Sequence, residues 1–246
     1  MSNYKDNSII IKKNVVDQCV EDIKRHALYT NRIRIMPSIK DGLKYVHRRI
    51  IYAAYEYEKA INNRVKSAAI VGSVIKTMHP HGDTSVYDAM KPLTNWFEIN
   101  MPLLEGKGNW GNFQGDKAAA QRYTESRLSN FCIDVVISEL KENKQVVDWL
   151  PTYDNARLEP ESLPIKLPLL LINGIFGIGY GVRVDIPCHN INEVIDATIN
   201  LIKNPNSDVT LIPDQCSKCE IIKTDFEKIS KLGNGKFIVR GIVDIE

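Results

Sequence analysis

The sequence predicts an α+β protein, and the first of its two main parts contains a helix-turn-helix. In that first part, apolar residues recur at the spacing of amphipathic helices. Four prolines between residues 151 and 168 then mark a change of character. Beyond them, apolar runs of strand composition surround one helical segment. These observations predict an N-terminal helical arm at 1–31, a helix-turn-helix domain at 32–158 and a second domain at 159–246.

Two amphipathic helices are predicted near the start of the chain. Residues 14–31 place their apolar side chains on one face, and Asn14 is the candidate N-cap. The segment 43–60 has the same periodicity, with a basic flank at 47–49. We therefore expect a helical arm followed by a helix with one positively charged side.

The helix-turn-helix comes next. Ser67 opens a short helix, which the turn His-Pro-His-Gly at 79–82 stops. Residues 83–85 are Asp-Thr-Ser, which supply N-cap side chains for the following helix. Because proline cannot donate a backbone hydrogen bond, Pro92 should kink or end that helix.

The rest of the chain alternates between helical and strand composition. Glycines punctuate 106–115 too densely for a helix, and 124–142 again has helical periodicity. Strands are predicted at 167–174 and 235–246, with a helix at 191–204 between them. The chain stops inside the last strand pattern, so we expect the second domain to be incomplete.

The composition excludes membrane and secreted classes of protein. Hydrophobic residues make up 43% of the 246 residues, enough to build a core. No run of about eighteen apolar residues is present, and the N-terminal apolar stretch is too short for a signal peptide. We expect a cytoplasmic protein.

The five cysteines are odd in number and mostly isolated, which is untypical of a disulfide framework. Cys216 and Cys219, with Cys188 and His189 upstream, are the only candidates for a zinc site that the spacing offers. A zinc ribbon needs a second closely spaced pair, so we predict no metal site within the chain.

Positive charge is concentrated between Lys24 and Lys66. Eleven lysines and arginines stand there against three acidic residues, although Lys and Arg exceed Asp and Glu only by 32 to 30 overall. Such an excess favours a polyanion partner, because each neutralised phosphate releases counterions. A solvated basic face is the alternative that charge alone leaves open.

Five stretches together resemble the A subunit of bacterial-type type IIA DNA topoisomerases, the family that comprises the A subunits of gyrase and of topoisomerase IV. They occur in the family's order and with nearly its spacing. The matching stretches are DGLKYVHRRIIYA at 41–53, HPHGDTSVYDAM at 79–90, PLLEGKGNWG at 102–111, AAAQRYTESRLS at 118–129 and INGIFGIGYG at 172–181. The resemblance implies a winged-helix DNA-gate domain at 32–158, followed by part of an α/β tower domain.

The resemblance implies that Tyr123 is the catalytic nucleophile. It would attack a DNA phosphodiester and keep the 5′ phosphate as a phosphotyrosine ester, so that the break can be resealed. Arg122 would donate hydrogen bonds to the phosphate, which its planar guanidinium fits. His79 and His81 are implied to lie near the scissile phosphate, where imidazole can donate to phosphate or relay a proton.

The same resemblance implies DNA contacts outside the catalytic residues. Ile178 occupies the position of an apolar wedge that enters between base pairs and bends the duplex, and the flanking glycines permit close backbone approach. Ordinary core packing is the alternative role for Ile178. Contacts to the DNA backbone are implied for Lys40, Lys44, His47, Arg48 and Arg49.

A drug site is also implied. Thr84 and Asp88 fall where the family anchors the water-metal bridge of quinolone drugs, although the family more often has serine at the first position. A hydroxyl and a carboxylate are therefore both retained.

The partners follow from what the sequence lacks. It has neither a P-loop signature nor an acidic D-x-D cluster that would hold Mg²⁺. In the family, ATP and Mg²⁺ are bound by the B subunit. The resemblance thus implies a homodimer of this chain with two B subunits, which would act as an A₂B₂ complex on double-stranded DNA. The alternative is a non-catalytic winged-helix DNA-binding protein derived from the same family.

Overall fold

The computed structural model describes residues 13–61, 63–214 and 219–242. Within them, helices and small antiparallel sheets are mixed, which confirms the α+β class. None of the described helices is both long and apolar enough to cross a membrane. Cys216, one of the candidate zinc ligands, lies outside the described residues.

The N-terminal arm is helix α1, Val15–Thr30, and the Asn14 side chain caps it by accepting from the Val16 amide, as predicted. A π-helical turn, Asn31–Ile35, continues from its end. No residue of α1 is buried, and Val16, Val20 and Ile23 on its apolar face are each more than 40% exposed.

Three helices and one small sheet build the main core. The helices are α2 (Tyr45–Ile61), α3 (Ser67–Thr77) and α4 (Asp83–Met90). Strands β1 (Val65–Lys66), β2 (Leu104–Lys107) and β3 (Glu125–Leu128) form an antiparallel sheet in the order β1-β3-β2. The predicted helix pair and the break at Pro92 are therefore confirmed, since α4 ends before a short 3₁₀ turn at Pro92–Thr94.

Two details of this region differ from the sequence prediction. Gly82, rather than a residue of 83–85, is the N-cap of α4, and no side chain caps that helix. Residues 125–128 form strand β3 instead of the start of a helix. Ser126 and Leu128 are buried while their neighbours are half-exposed. Burial therefore alternates with the two-residue period of a strand and does not follow the predicted helical period. Cross-strand ion pairs of Glu125 and Arg127 stabilise this choice.

The second half consists of hairpins and short helices. The strands are β4 (Trp149–Pro151), β5 (Leu158–Pro160), β6 (Ile175–Ile178), β7 (Arg183–Ile186), β8 (Cys219–Thr224) and β9 (Phe237–Gly241), which pair in sequence. The helices are α5 (Ser138–Glu142), α6 (Leu169–Asn173), α7 (Ile191–Lys203) and α8 (Phe226–Leu232), and Cys132–Val136 is a π-helical turn.

The helix predicted at 191–204 is confirmed as α7, whereas the strand predicted at 167–174 is wrong, because its centre is helix α6. Leu163 and Leu169 belong to the same buried cluster as α2, α3 and α4. The core thus continues past residue 158, and the boundary between the two predicted domains stays a prediction.

Candidate functional site

Tyr123 lies in a tight turn directly before strand β3. Its amide donates to the Ala120 carbonyl at 2.9 Å, which closes the turn. The turn is fixed to the helix-turn-helix on two sides. Gln121 donates from its side-chain amide to Asp83 at the start of α4, at 2.7 Å, and Tyr87 donates from its hydroxyl to the Ala119 carbonyl at 2.8 Å. The backbone that carries Tyr123 is therefore held in place, while the tyrosine ring points into solvent.

The Tyr123 ring is 64% exposed. The guanidinium carbon of Arg122, which is also exposed, lies 4.6 Å from the centre of that ring. A cation above an aromatic face is attracted by the ring's quadrupole, so Arg122 stays next to the phenol without being buried. A phosphate that approaches the hydroxyl would meet positive charge at the same point.

His79 and His81 stack on each other, with ring centres 4.1 Å apart and planes 17° from parallel. Each ring contacts one arginine. Arg49 lies 2.7 Å from Nδ1 of His79, and Arg34 contacts Nε2 of His81. Because arginine can only donate, both of these ring nitrogens accept, and the opposite nitrogen of each neutral ring carries the proton.

This environment keeps both histidines neutral. Burial, with the nearby charges of His81, Arg49 and Arg34, lowers the pKa of His79 to about 4. Burial, then Arg34 and Arg49, also lower the pKa of His81. At neutral pH the rings are hydrogen-bond donors on one side and acceptors on the other. Nδ1 of His81 is buried and has no hydrogen-bond partner among the described residues.

Arg48, one of the expected contacts to the DNA backbone, is buried inside the fold. Its side chain is 2% exposed and donates two hydrogen bonds to the fully buried Asp41, at 2.5 and 2.9 Å. Asp41 also accepts from the amides of Leu43 and Leu163. In the fold the Arg48 charge compensates a buried carboxylate, and its contact with DNA stays a prediction.

Arg49 is also largely engaged within the protein. It is 14% exposed and forms a two-pronged ion pair with Glu159 of β5, at 2.6 and 2.7 Å, besides its contact with His79. This geometry makes Arg49 a support for the histidine turn. Its guanidinium is far less open to a DNA phosphate than an exposed lysine would be.

The three other residues predicted to contact the DNA backbone differ in exposure. Lys40 is exposed and only loosely paired, 3.5 Å from Glu161. Lys44 is half-buried and donates to the Phe176 carbonyl at 2.7 Å. His47 is half-buried too, and burial, Lys44 and Arg48 lower its pKa to about 4, so it is uncharged at neutral pH. Lys40 therefore presents the most accessible charge of the three.

Ile178 ends strand β6 and is 61% exposed at the tip of the β6–β7 hairpin. This placement excludes the alternative of ordinary core packing. A Cβ on the preceding Gly177 would lie 2.7 Å from the Ile35 carbonyl oxygen, so glycine is required by the close approach of the backbone.

Thr84 and Asp88, the two residues of the predicted drug site, are exposed on α4 one turn apart, and Asp88 accepts from Lys91 at 2.6 Å.

A comparison with models of known protein families shows to which family the chain belongs. The family model for the A subunit of DNA gyrase/topoisomerase IV matches residues 34–246. The chain belongs to this family. Its helix-turn-helix, the histidine turn and the Tyr123 turn all lie inside the matched region.

Individual relatives agree with the family match. The DNA gyrase A subunit of Thermotoga maritima is 38% identical over 246 residues, covering 97% of this chain and 30% of that protein. The DNA topoisomerase 4 A subunit of Pseudomonas aeruginosa is 39% identical over 258 residues, covering 100% of this chain and 34% of that protein. The chain thus spans only about a third of the length of these relatives.

Three residues that sequence reasoning missed complete the site of this topoisomerase-family chain. Arg34 and Glu159 hold the histidine turn, and Asn31 contacts the Ile178 hairpin. Arg34 could have been found from the sequence, because it is one of the cations in the basic stretch between Lys24 and Lys66. Glu159 and Asn31 had none, because each meets its partner 110 or more residues away in the sequence.

Proposed function

We propose that this chain is the DNA-cleaving and rejoining part of the A subunit of a type IIA topoisomerase, with Tyr123 as the nucleophile. The observation that carries the proposal is an exposed phenol on a well-anchored turn, with a guanidinium against its ring and a helix-turn-helix behind it. Family membership supports the same function. That the whole enzyme is a topoisomerase is part of the proposal, since this chain spans only about a third of the length of its relatives.

The proposed reaction is an exchange of one phosphate ester for another. The Tyr123 oxygen bonds to the DNA phosphorus, the bond from phosphorus to the 3′ oxygen breaks, and the phenolic proton ends on that 3′ oxygen. Arg122 would stabilise the negative charge that develops on the phosphate oxygens. His79 and His81, both neutral, would donate N–H groups to the phosphate or relay the proton.

The cofactors are proposed to belong to a partner. Among the described residues, no group of three or more His, Cys, Asp or Glu side chains could hold a metal ion. As the family resemblance implies, we assign Mg²⁺, which would supply further charge stabilisation at the phosphate, and ATP to a B subunit. Two copies of this chain would cut one strand each, in an A₂B₂ complex on double-stranded DNA. We propose that the complex works in the cytoplasm.

The test is the covalent protein–DNA adduct. The chain is incubated with its cognate B subunit, Mg²⁺ and labelled supercoiled DNA, and adducts are trapped with detergent. Tyr123→Phe should abolish the adduct, because it removes the attacking oxygen, and should leave DNA affinity nearly unchanged. The matched control is Tyr29→Phe, whose ring is 63% exposed, and it should form the adduct normally.

Two outcomes would contradict the proposal. An adduct that survives in Tyr123→Phe assigns the nucleophile to another residue. Specific DNA binding without any adduct in the unchanged protein would instead support the alternative, a non-catalytic winged-helix DNA-binding protein.

A further inference from the structure

The hairpin that presents Ile178 is held by the segment that follows helix α1. The Asn31 side-chain amide donates to the Tyr180 carbonyl at 2.9 Å, and the Tyr180 amide donates to the Asn31 side-chain oxygen, also at 2.9 Å. One amide side chain thus satisfies both backbone groups of the residue at the turn of the hairpin. This pairing joins parts of the chain 149 residues apart.

Lys44 holds the same hairpin two residues before its tip. Its ammonium donates to the Phe176 carbonyl at 2.7 Å, and burial lowers its pKa. Lys44 is therefore partly removed from water and directed at protein backbone. An ammonium in this position is less available to a DNA phosphate than a lysine in open solvent.

The glycines of the hairpin permit this contact. A Cβ at Gly177 would lie 3.4 Å from the Lys44 nitrogen and closer still to the Ile35 carbonyl, and a Cβ at Gly179 would overlap the Asn31 amide. Both glycines therefore face the segment 31–44. They are explained by the packing of the hairpin on that segment.

The hairpin needs such support. Its two strands have four residues each, and within the described part of the chain they pair only with each other. A two-stranded hairpin is at best marginally stable by itself in water. An exposed isoleucine at its tip can unstack a base step only if the hairpin resists the force, since unstacking costs energy at every step that is opened.

We propose that Asn31 and Lys44 are positioning residues that fix the hairpin so that Ile178 can act as a DNA-bending wedge. This inference rests on the proposed function. It replaces the expectation that Lys44 binds the DNA backbone, because Lys44 would act on DNA only by holding the hairpin. Asn31, at the end of the N-terminal arm, would hold the same hairpin.

The first measurement needs no DNA. Hydrogen exchange of the Tyr180 amide should accelerate about fivefold or more in Asn31→Ala, the effect of losing one net hydrogen bond. The Tyr123 amide, which donates to the Ala120 carbonyl at 2.9 Å outside the hairpin, is the internal control and should keep its rate. Unchanged exchange at Tyr180 would overturn the role of Asn31.

The second measurement is DNA bending. A short duplex labelled at both ends reports the bend by energy transfer, in the presence of Mg²⁺ and with the chain bound to its cognate B subunit. Asn31→Ala and Lys44→Met should lose the bend as Ile178→Ala does. Retention of the full bend in both variants, with loss in Ile178→Ala, would overturn the inference and leave the proposed wedge intact. A full bend in Ile178→Ala would instead refute the wedge.

The salt dependence of binding separates a positioning lysine from a phosphate-binding one. Losing one phosphate contact reduces the slope of log affinity against log salt by about 0.9. The exposed Lys40 provides the matched control. Lys40→Met should reduce the slope and keep the bend, whereas Lys44→Met should keep the slope and lose the bend. A reduced slope with an unchanged bend in Lys44→Met would make Lys44 a phosphate contact and overturn its positioning role.

Discussion

Two arginine-bearing regions of this chain have similar chemistry and opposite surroundings. At the start of α2, Arg48 and Arg49 are buried or nearly so and are paired with Asp41 and Glu159. In the turn before β3, Arg122 is exposed and its guanidinium lies over an aromatic ring. The first region uses guanidinium to compensate carboxylates inside the fold, and the second keeps it available for a ligand.

A basic motif in a sequence therefore need not be a basic surface in the fold. The stretch HRR at 47–49 resembles a DNA-binding sequence, yet one of its arginines is a core residue and its histidine is uncharged at neutral pH. Burial of a charge is costly unless it is paired, so a paired, buried arginine serves stability first. Mutation and acidification can measure this contrast.

The largest loss of stability is expected for Arg48→Ala. Removing the guanidinium leaves Asp41 charged, fully buried and without its ion-pair partner, which should cost about 3–5 kcal/mol of unfolding free energy. Denaturant unfolding measures it. The matched control is Arg25→Ala, an exposed arginine 3.7 Å from Glu21, for which we expect less than about 0.5 kcal/mol. Equal losses in the two variants would contradict the contrast.

Acidification should produce the next effect. His47 and His79 have pKa values lowered to about 4, below the usual 6.5 of an unfolded chain, because their surroundings disfavour the charged ring. Below pH 6.5 the unfolded state therefore binds more protons than the folded one, and stability falls as the pH approaches 4. Between about pH 7 and pH 5, each of the two histidines should lower the free energy of unfolding by roughly 2 kcal/mol.

The variant His47→Gln separates the two histidines. It should remove about half of that pH-dependent loss, measured as the difference in unfolding free energy between about pH 7 and pH 5. A pH dependence identical to that of the unchanged protein would show that His47 titrates normally in the fold.

Arg122→Ala should lower stability much less than Arg48→Ala or acidification. An exposed cation–π contact contributes about 0.5–1 kcal/mol, so the variant should unfold almost like the unchanged protein. Formation of the covalent DNA adduct should nevertheless fall steeply, because the charge beside the phenol is lost. A destabilisation as large as that of Arg48→Ala, or an unaffected adduct yield, would remove the distinction between the two regions.

Local patterns predicted much of the helical framework. Asn14 as a cap, the break at Pro92 and the apolar period of 191–204 each depend on neighbours within a few residues, and all three predictions are confirmed. The strand at 125–128 escaped prediction, because its reason is pairing with β1 and β2, which lie far away in the sequence. The helical centre of 167–174 was missed because short apolar runs suit strands and buried helices alike.

The family, the helix-turn-helix and the identity of the candidate nucleophile could be predicted from the amino-acid sequence, because ordered motifs and local periodicity carry them. Which cations are exposed and which are paired depends instead on contacts made in the folded chain. Asp41, Glu159 and Asn31 reach their partners through folding, and burial then sets the charge of His47 and His79. Such long-range contacts and the desolvation they cause have no signature in a linear sequence.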